Sequence, residues 1–242
     1  MRLLILFLFA SLAHGAITAG TGGGQTTHAS TTTTATVTIT AGNAVFAVVS
    51  FQGTGSGCGS ATLSVATNGS GNVNFTQDGS LHSRDYVCTG YFYLLNAASA
   101  TSVTATSNAA RDQLTMALIQ FSGVATSGAV DVTTTTSRTF DSSGAITSAS
   151  FSTSSANQVI VCGTSGYYTG TYTAGNIGSS TGTLGGTTAY AATIYRIVSS
   201  TQSSITAELT FSGTPYNNIG CISMTEAAGG GGGPRVRRVI VQ

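Results

Sequence analysis

Ile205-Thr-Ala-Glu-Leu-Thr-Phe211 alternates strictly, with apolar residues at the odd positions and polar ones at the even positions. That is the period of a β-strand with one face on a core and the other in water. Thr34-Ala-Thr-Val-Thr-Ile-Thr40 follows the same rule, with threonine at every polar place. Residues 44–51, 91–95, 114–121 and 159–162 are denser apolar runs, as central strands are when both faces are covered. Shorter strand candidates lie at 61–66, 102–106, 146–153, 188–197 and 218–226. Gly/Ser/Asn/Thr clusters with turn chemistry, such as 68–72 and 178–186, separate them. Helical periodicity is missing. Many short strands joined by polar turns mean an all-β sandwich or barrel.

The chain has 242 residues. At its start, Arg2 precedes an apolar run over 3–10 and then the small residues Ala13, Gly15 and Ala16. This is the order of a secretory signal peptide, predicted over 1–15 with Ala16 as the mature N-terminus. The run is too short for a membrane span, which needs about 20 apolar residues, and no later stretch reaches that length. Residues 16–30 read as a flexible N-terminal segment, 31–228 as the β-sandwich domain, and 229–242 as a glycine linker with a basic and apolar tail. The tail carries Arg235, Arg237 and Arg238 beside Val239, Ile240 and Val241, a segment of high β-propensity. Such a tail suits strand addition to a neighbouring subunit, or capture by an export or attachment system.

Lysine is absent, and the 8 basic residues are all arginine against 7 acids. A chain so poor in charge has no electrostatic footprint for a polyanion, which argues against nucleic acid as partner. Four cysteines in an exported chain read as two disulfides with three connectivities open. Pairing strand neighbours favours Cys58–Cys88 and Cys162–Cys221. Asn68 and Asn74 head N-x-Ser/Thr tripeptides and are candidate glycosylation acceptors.

A faint duplication runs through the chain. Val37, Asn43, Val45 and Val49 match Phe151, Asn157, Val159 and Gly163 at a spacing of 114 residues. Tyr93, Val103, Thr104 and Ala105 match Tyr195, Ile205, Thr206 and Ala207 at a spacing of 102. This reads either as two pseudo-repeated halves, the first with a longer loop around Cys58, or as low-complexity β sequence that aligns with itself at many offsets.

Gln120-Phe-Ser-Gly-Val-Ala-Thr-Ser-Gly-Ala-Val-Asp131 resembles a recurrent module of secreted bacterial and phage-associated proteins. In that module a strand ending in an acidic or aromatic residue plus Ser-Gly-Val leads into a Leu/Val-Asp corner. Residues 68–75 are similar to its Asp-Ser-x-Gly-Asn-x-Tyr hairpin. Gln120 stands where the module usually has an acid, and the aspartate of the hairpin is missing. The resemblance spans roughly 31–228 and implies an antiparallel two-sheet β-sandwich, jelly-roll or immunoglobulin-like, without a known activity.

An enzyme needs a positioned acid, base, nucleophile or metal. Past residue 15 only His28 and His82 remain, and His82-Ser-Arg-Asp85 is the one local cluster of titratable groups. Triads draw their members from separate elements, so this cluster reads as a salt-bridged loop. Asp78 with Asp85 is the only sequence-near carboxylate couple of promise, while Glu208 and Glu226 belong to strands. No metal-binding motif is present, so no catalytic residue, metal ligand or cofactor is assigned. Tyr167, Tyr168, Tyr172 and Tyr216 fall in turn-rich segments, where their rings could stack on a sugar. The Thr34, Thr36, Thr38 and Thr40 row suggests an ice-binding hydroxyl array, but such arrays need the row repeated on adjacent strands, and a solvent-facing strand explains a single row.

The resulting expectation is a secreted or cell-surface structural or adhesive protein, non-catalytic and self-assembling through its tail, with itself or a surface glycan as partner. A carbohydrate-binding module is the first rival. A glycosidase or polysaccharide lyase, drawing on Asp78, His82, Asp85 and an arginine, is the second.

Overall fold

The computed structural model describes residues 16–52, 58–69, 73–84, 86–132, 137–139, 144–212 and 217–228. The predicted signal peptide (1–15) and tail (229–242) lie outside them. In chain order the strands are β1 (Thr18–Ile39), β2 (Ala44–Gln52), β3 (Leu63–Asn68), β4 (Thr76–Gln77), β5 (His82–Arg84), β6 (Val87–Leu94), β7 (Ala100–Ser122), β8 (Val130–Val132) and β9 (Ser137–Thr139). There follow β10 (Ala145–Thr147), β11 (Gln158–Ser165), β12 (Tyr172–Ile177), β13 (Ser180–Thr181), β14 (Thr183–Thr187), β15 (Ala191–Val198), β16 (Ala207–Phe211) and β17 (Asn217–Thr225). Every ladder is antiparallel. The expected all-β sandwich is thus what the chain builds.

Its layering goes beyond two sheets. β1 and β7 pair along most of their length, but between Ser30↔Arg111 and Thr32↔Thr106 one residue of β1 faces four of β7. Ala29, at φ 49°, adds a left-handed kink beside this bulge. A bulge bends its strand, and here the bend folds one sheet over itself. Residues 32–39 and 100–107 join β3 as an outer leaf, while residues 18–28 and 111–122 join β2, β6, β4 and β5 as an inner leaf. Val37, Val45, Val49, Phe51, Val103, Leu114 and Met116 fill the space between the leaves. Arg111 closes the bend, its guanidinium 4.2 Å from the Phe51 ring centre and its Nε donating to Ser107 Oγ at 3.0 Å.

The second half repeats this plan with separate sheets. An inner sheet runs β14-β15-β11-β17-β8, with β9 also on β17, and an outer sheet runs β10-β16-β12-β13. Ile146, Ile160, Ile194, Leu209 and Phe211 pack between them. The two inner layers then meet face to face, Phe46, Val48, Tyr91, Ile119 and Phe121 against Val159, Val161, Ile222 and Met224. Gly163 makes this contact possible: a Cβ there would stand 2.6 Å from Val48 Cβ.

Residues 16–30, expected to be flexible, instead carry the first part of β1 along the edge of the inner leaf. Their glycines are there for proximity. A Cβ on Gly22 would come within 2.6 Å of the Gly186 nitrogen, and one on Gly24 within 2.7 Å of the Thr187 carbonyl oxygen. The segment therefore lies directly on the second half, and the Thr115 hydroxyl, bonded to Thr26 at 2.8 Å and Thr188 at 3.0 Å, ties it there.

Both expected disulfides form. Cys162 and Cys221 are direct partners in the β11–β17 ladder, and Cys88 of β6 holds Cys58 in the loop before β3. The Cys162→Ser/Cys221→Ser double variant should lose roughly 2–5 kcal/mol of unfolding free energy in urea titrations, because an unfolded chain released from a 59-residue crosslink gains entropy.

Candidate functional site

At one end of the seam between the halves, two loops bring tyrosines together. Tyr86 immediately precedes β6 in the first half, and Tyr167 and Tyr168 follow β11 in the second. The Tyr86 and Tyr167 rings lie 5.9 Å apart at 50°, and Tyr167 and Tyr168 meet edge to face at 4.8 Å. Tyr86 is 50% and Tyr168 46% exposed, and among the described residues only Ile197 is a comparably exposed large apolar side chain. A row of rings facing water in this way is a surface for stacking, with hydroxyls at its rim to donate and accept.

The loop under the rings is held from both sides. Gln52 of the first half donates from Nε2 to the Tyr167 carbonyl at 2.9 Å. The second half supplies the Tyr190 carbonyl to Gly166 N–H at 2.7 Å and the Ala189 carbonyl to Gly170 N–H at 3.0 Å. A few residues inward along the same strands, Thr89 Oγ1 lies 2.7 Å from Ser165 Oγ and accepts from Asn218 Nδ2 at 3.1 Å. Asn218 Nδ2 also reaches the His82 carbonyl, and the His82 ring leans on Tyr91 at 5.7 Å. A loop tethered at this many points presents its rings with little freedom left to lose on binding.

Of the four tyrosines singled out in the sequence, Tyr167 and Tyr168 belong to this patch and Tyr216 lies outside the described residues. Tyr172 does not belong to it. It starts β12, points inward, and packs on Phe211 with ring centres 4.7 Å apart. Glycines at 170 and 175 make its surroundings read as a turn, whereas Gly170 in fact gives the Phe211 ring room. Burial drives the phenols of Tyr172 and Tyr91 well above the ordinary tyrosine range. Tyr86 had no distinguishing signal beyond an aromatic residue just ahead of an apolar run.

The titratable residues weighed for catalysis are placed as follows. Asp78 is buried with its N–H on the Tyr91 carbonyl, His82 packs as described, and Asp85 lies outside the described residues. Glu208 sits in β16, Glu226 bridges to Val124, and exposed His28 contacts the Asp112 carbonyl at 3.1 Å. Among the described residues no group of three His, Cys, Asp or Glu is arranged to hold a metal, and no helix is long and apolar enough to cross a membrane. Of the two glycosylation candidates, Asn74 is exposed, while Asn68 is half-buried and spends its amide on Thr104 Oγ1 and Ser102 Oγ.

Asp131, at the end of the segment 120–131, is a carboxylate with several partners. It accepts from the Ser154 hydroxyl, from Ser154 N–H at 2.7 Å and from Gln158 Nε2 at 2.6 Å, pinning the link between the halves to the start of β11. Desolvation pushes its pKa up, but the bonds from Ser154, Gln158 and Ser155 N–H outweigh that and leave it below the usual value. The sequence matches no known protein family and no curated protein.

Since Asp131 titrates lower folded than unfolded, its stabilisation is complete above the unfolded value of about 4 and is lost as pH falls through the lower folded value. Asp131→Asn should cost about 1 kcal/mol at pH 7, discounted for solvent contact, and nothing once both states are protonated. In urea melts stepped down from pH 7 the difference between the native chain and Asp131→Asn should hold above about pH 4 and shrink as the pH falls further.

Proposed function

We propose that this chain is a non-catalytic extracellular adhesive protein that holds surface glycans on the Tyr86–Tyr167–Tyr168 patch. The observation that carries the reading is two exposed rings and a third between them, supplied by both halves and anchored by Gln52. Pyranose rings present an apolar C–H face that stacks on an aromatic ring, and the tyrosine hydroxyls can bond to the sugar's own. Two disulfides and the leader-like first 15 residues support an oxidising, exported setting.

The test is a glycan array with protein beginning at Ala16, followed by titration of the best ligand. Tyr168→Ala and Tyr86→Ala should each weaken binding about tenfold or more, equivalent to ~1.4 kcal/mol. Saturable binding that both variants retain in full would sink the assignment of the site, and an array without a ligand would sink the glycan reading.

Self-assembly through residues 229–242 is a second reading, favoured by the open edge of the outer leaf. Among the described residues, 32–39 pair with β7 on one side only, and they contain no lysine, proline or other charge-bearing or strand-breaking residue, which leaves a template for another strand. Native mass spectrometry of chains ending at Ala228 and at Gln242 should show oligomers for the longer form alone. Monomers in both would remove this reading.

A further inference from the structure

The outward face of the outer leaf is a grid of hydroxyls. Along β1 the exposed residues are Thr32, Thr34, Thr36 and Thr38; β7 contributes Ser102, Thr104 and Thr106, and β3 contributes Ser64 and Asn68. The ladders align them in rows across three strands: Thr32–Thr106–Ser64, Thr34–Thr104–Ala66 and Thr36–Ser102–Asn68. The alternate residues Ala35, Val37, Val65, Val103 and Ala105 point into the core, which fixes the hydroxyls outward. The row of threonines legible in the sequence is therefore repeated on its neighbours, which the sequence alone could not show because β7 and β3 lie far from β1 in the chain.

Two further features mark this face. It is uncharged: no Asp, Glu, Lys, Arg or His occurs in 31–40, 62–68 or 100–108. It is also partly ordered in advance, since Thr34 Oγ1 and Thr104 Oγ1 are bonded at 2.8 Å, and Asn68 Nδ2 donates to Thr104 Oγ1 at 2.6 Å and to Ser102 Oγ at 3.2 Å. Each hydroxyl keeps bonding capacity beyond these contacts. Equivalent positions in such a sheet repeat at ~4.8 Å across strands and ~6.8 Å along them, and the bonded pair Thr34–Thr104 draws two of the oxygens closer, to 2.8 Å. Threonine adds a methyl beside each hydroxyl, so water at this face has apolar ledges to cage and oxygens to anchor it.

We propose that this face binds ordered water, and specifically the surface of ice, as an activity independent of the tyrosine patch. A charged surface would hold water in orientations that conflict with the lattice; a neutral array of hydroxyls and methyls does not. Three strands make a small face, so adsorption and crystal shaping follow from it rather than deep supercooling.

The experiment is partition into slowly growing ice, with protein from residue 16 made in a host that does not N-glycosylate, because Asn74 bridges to Ala66 at the edge of the grid. The native chain should enter the ice several-fold above an inert carrier protein of similar size and should shape single crystals. Thr34→Lys/Thr104→Lys should fall to the carrier's level, and so should the single, fully exposed change Thr36→Lys if the double variant fails to fold. Tyr168→Ala should enter ice as the native chain does. Exclusion of the native chain from ice overturns the proposal, as does undiminished entry of a folded lysine variant. Exclusion from ice combined with binding to an insoluble polysaccharide, lost in the lysine variants, would also overturn it and make the grid a glycan surface.

Discussion

The contact between the two inner layers is the constraint on which the rest depends. β2, β6, the second part of β7, β11 and β17 are apolar on both faces, so neither half could stand alone without exposing Phe46, Val48, Ile119 and Phe121 or Val159, Val161, Ile222 and Met224. At about 25 cal/mol for each Å² withdrawn from water, such side chains contribute on the order of 2 kcal/mol apiece. The same contact sets a limit on side-chain size. Gly163 faces Val48 and Phe46, Gly22 meets the backbone of β14, and Gly24 meets the Thr187 carbonyl and the Thr188 methyl.

The aromatic patch depends on that seam. Tyr86 hangs from the first half and Tyr167 and Tyr168 from the second, so the aromatic patch exists only while the halves are docked. The polar contacts beneath it, Thr89 with Ser165 and Asn218, cross the same boundary and fix the register of one half on the other. Gln120 plays a comparable part within the first half. Its Oε1 accepts from Thr40 N–H at 3.0 Å and Asn43 Nδ2 at 2.8 Å, while its Nε2 donates to the Thr38 carbonyl at 2.7 Å. A carboxylate at this place could accept but not donate, which gives a physical reason for an amide at position 120.

Alternation and dense apolar runs made the strands legible, and the cysteine pairs followed from strand adjacency. The duplication was legible only in part. At a spacing of 102, Val103 with Ile205 and Ala105 with Ala207 do share an orientation toward their own cores. At 114, Val45 faces its own core while Val159 faces the seam. The offset is out by one residue there, and a one-residue slip in a strand exchanges its faces. Nothing in a run apolar on both sides tells which face is which. Residues 16–30 misled for a related reason: glycine and threonine read as a loop, and their strand depends on a partner some ninety positions away, Gly24 pairing with Ala117. Tyr172 shows the converse, a core ring hidden among turn residues.

A surface without lysine must meet water by other means, and the outer leaf shows how. Hydroxyls that bond to one another across strands satisfy part of their own demand, so the face binds water without the long charged side chains that usually protect a sheet. Charge would have been the cheaper protection against edge pairing, yet it is absent from the whole leaf, including the exposed edge at 32–39. Selection for solubility alone does not require that absence. Among the described residues the leaf meets water with hydroxyls, an amide and methyls alone.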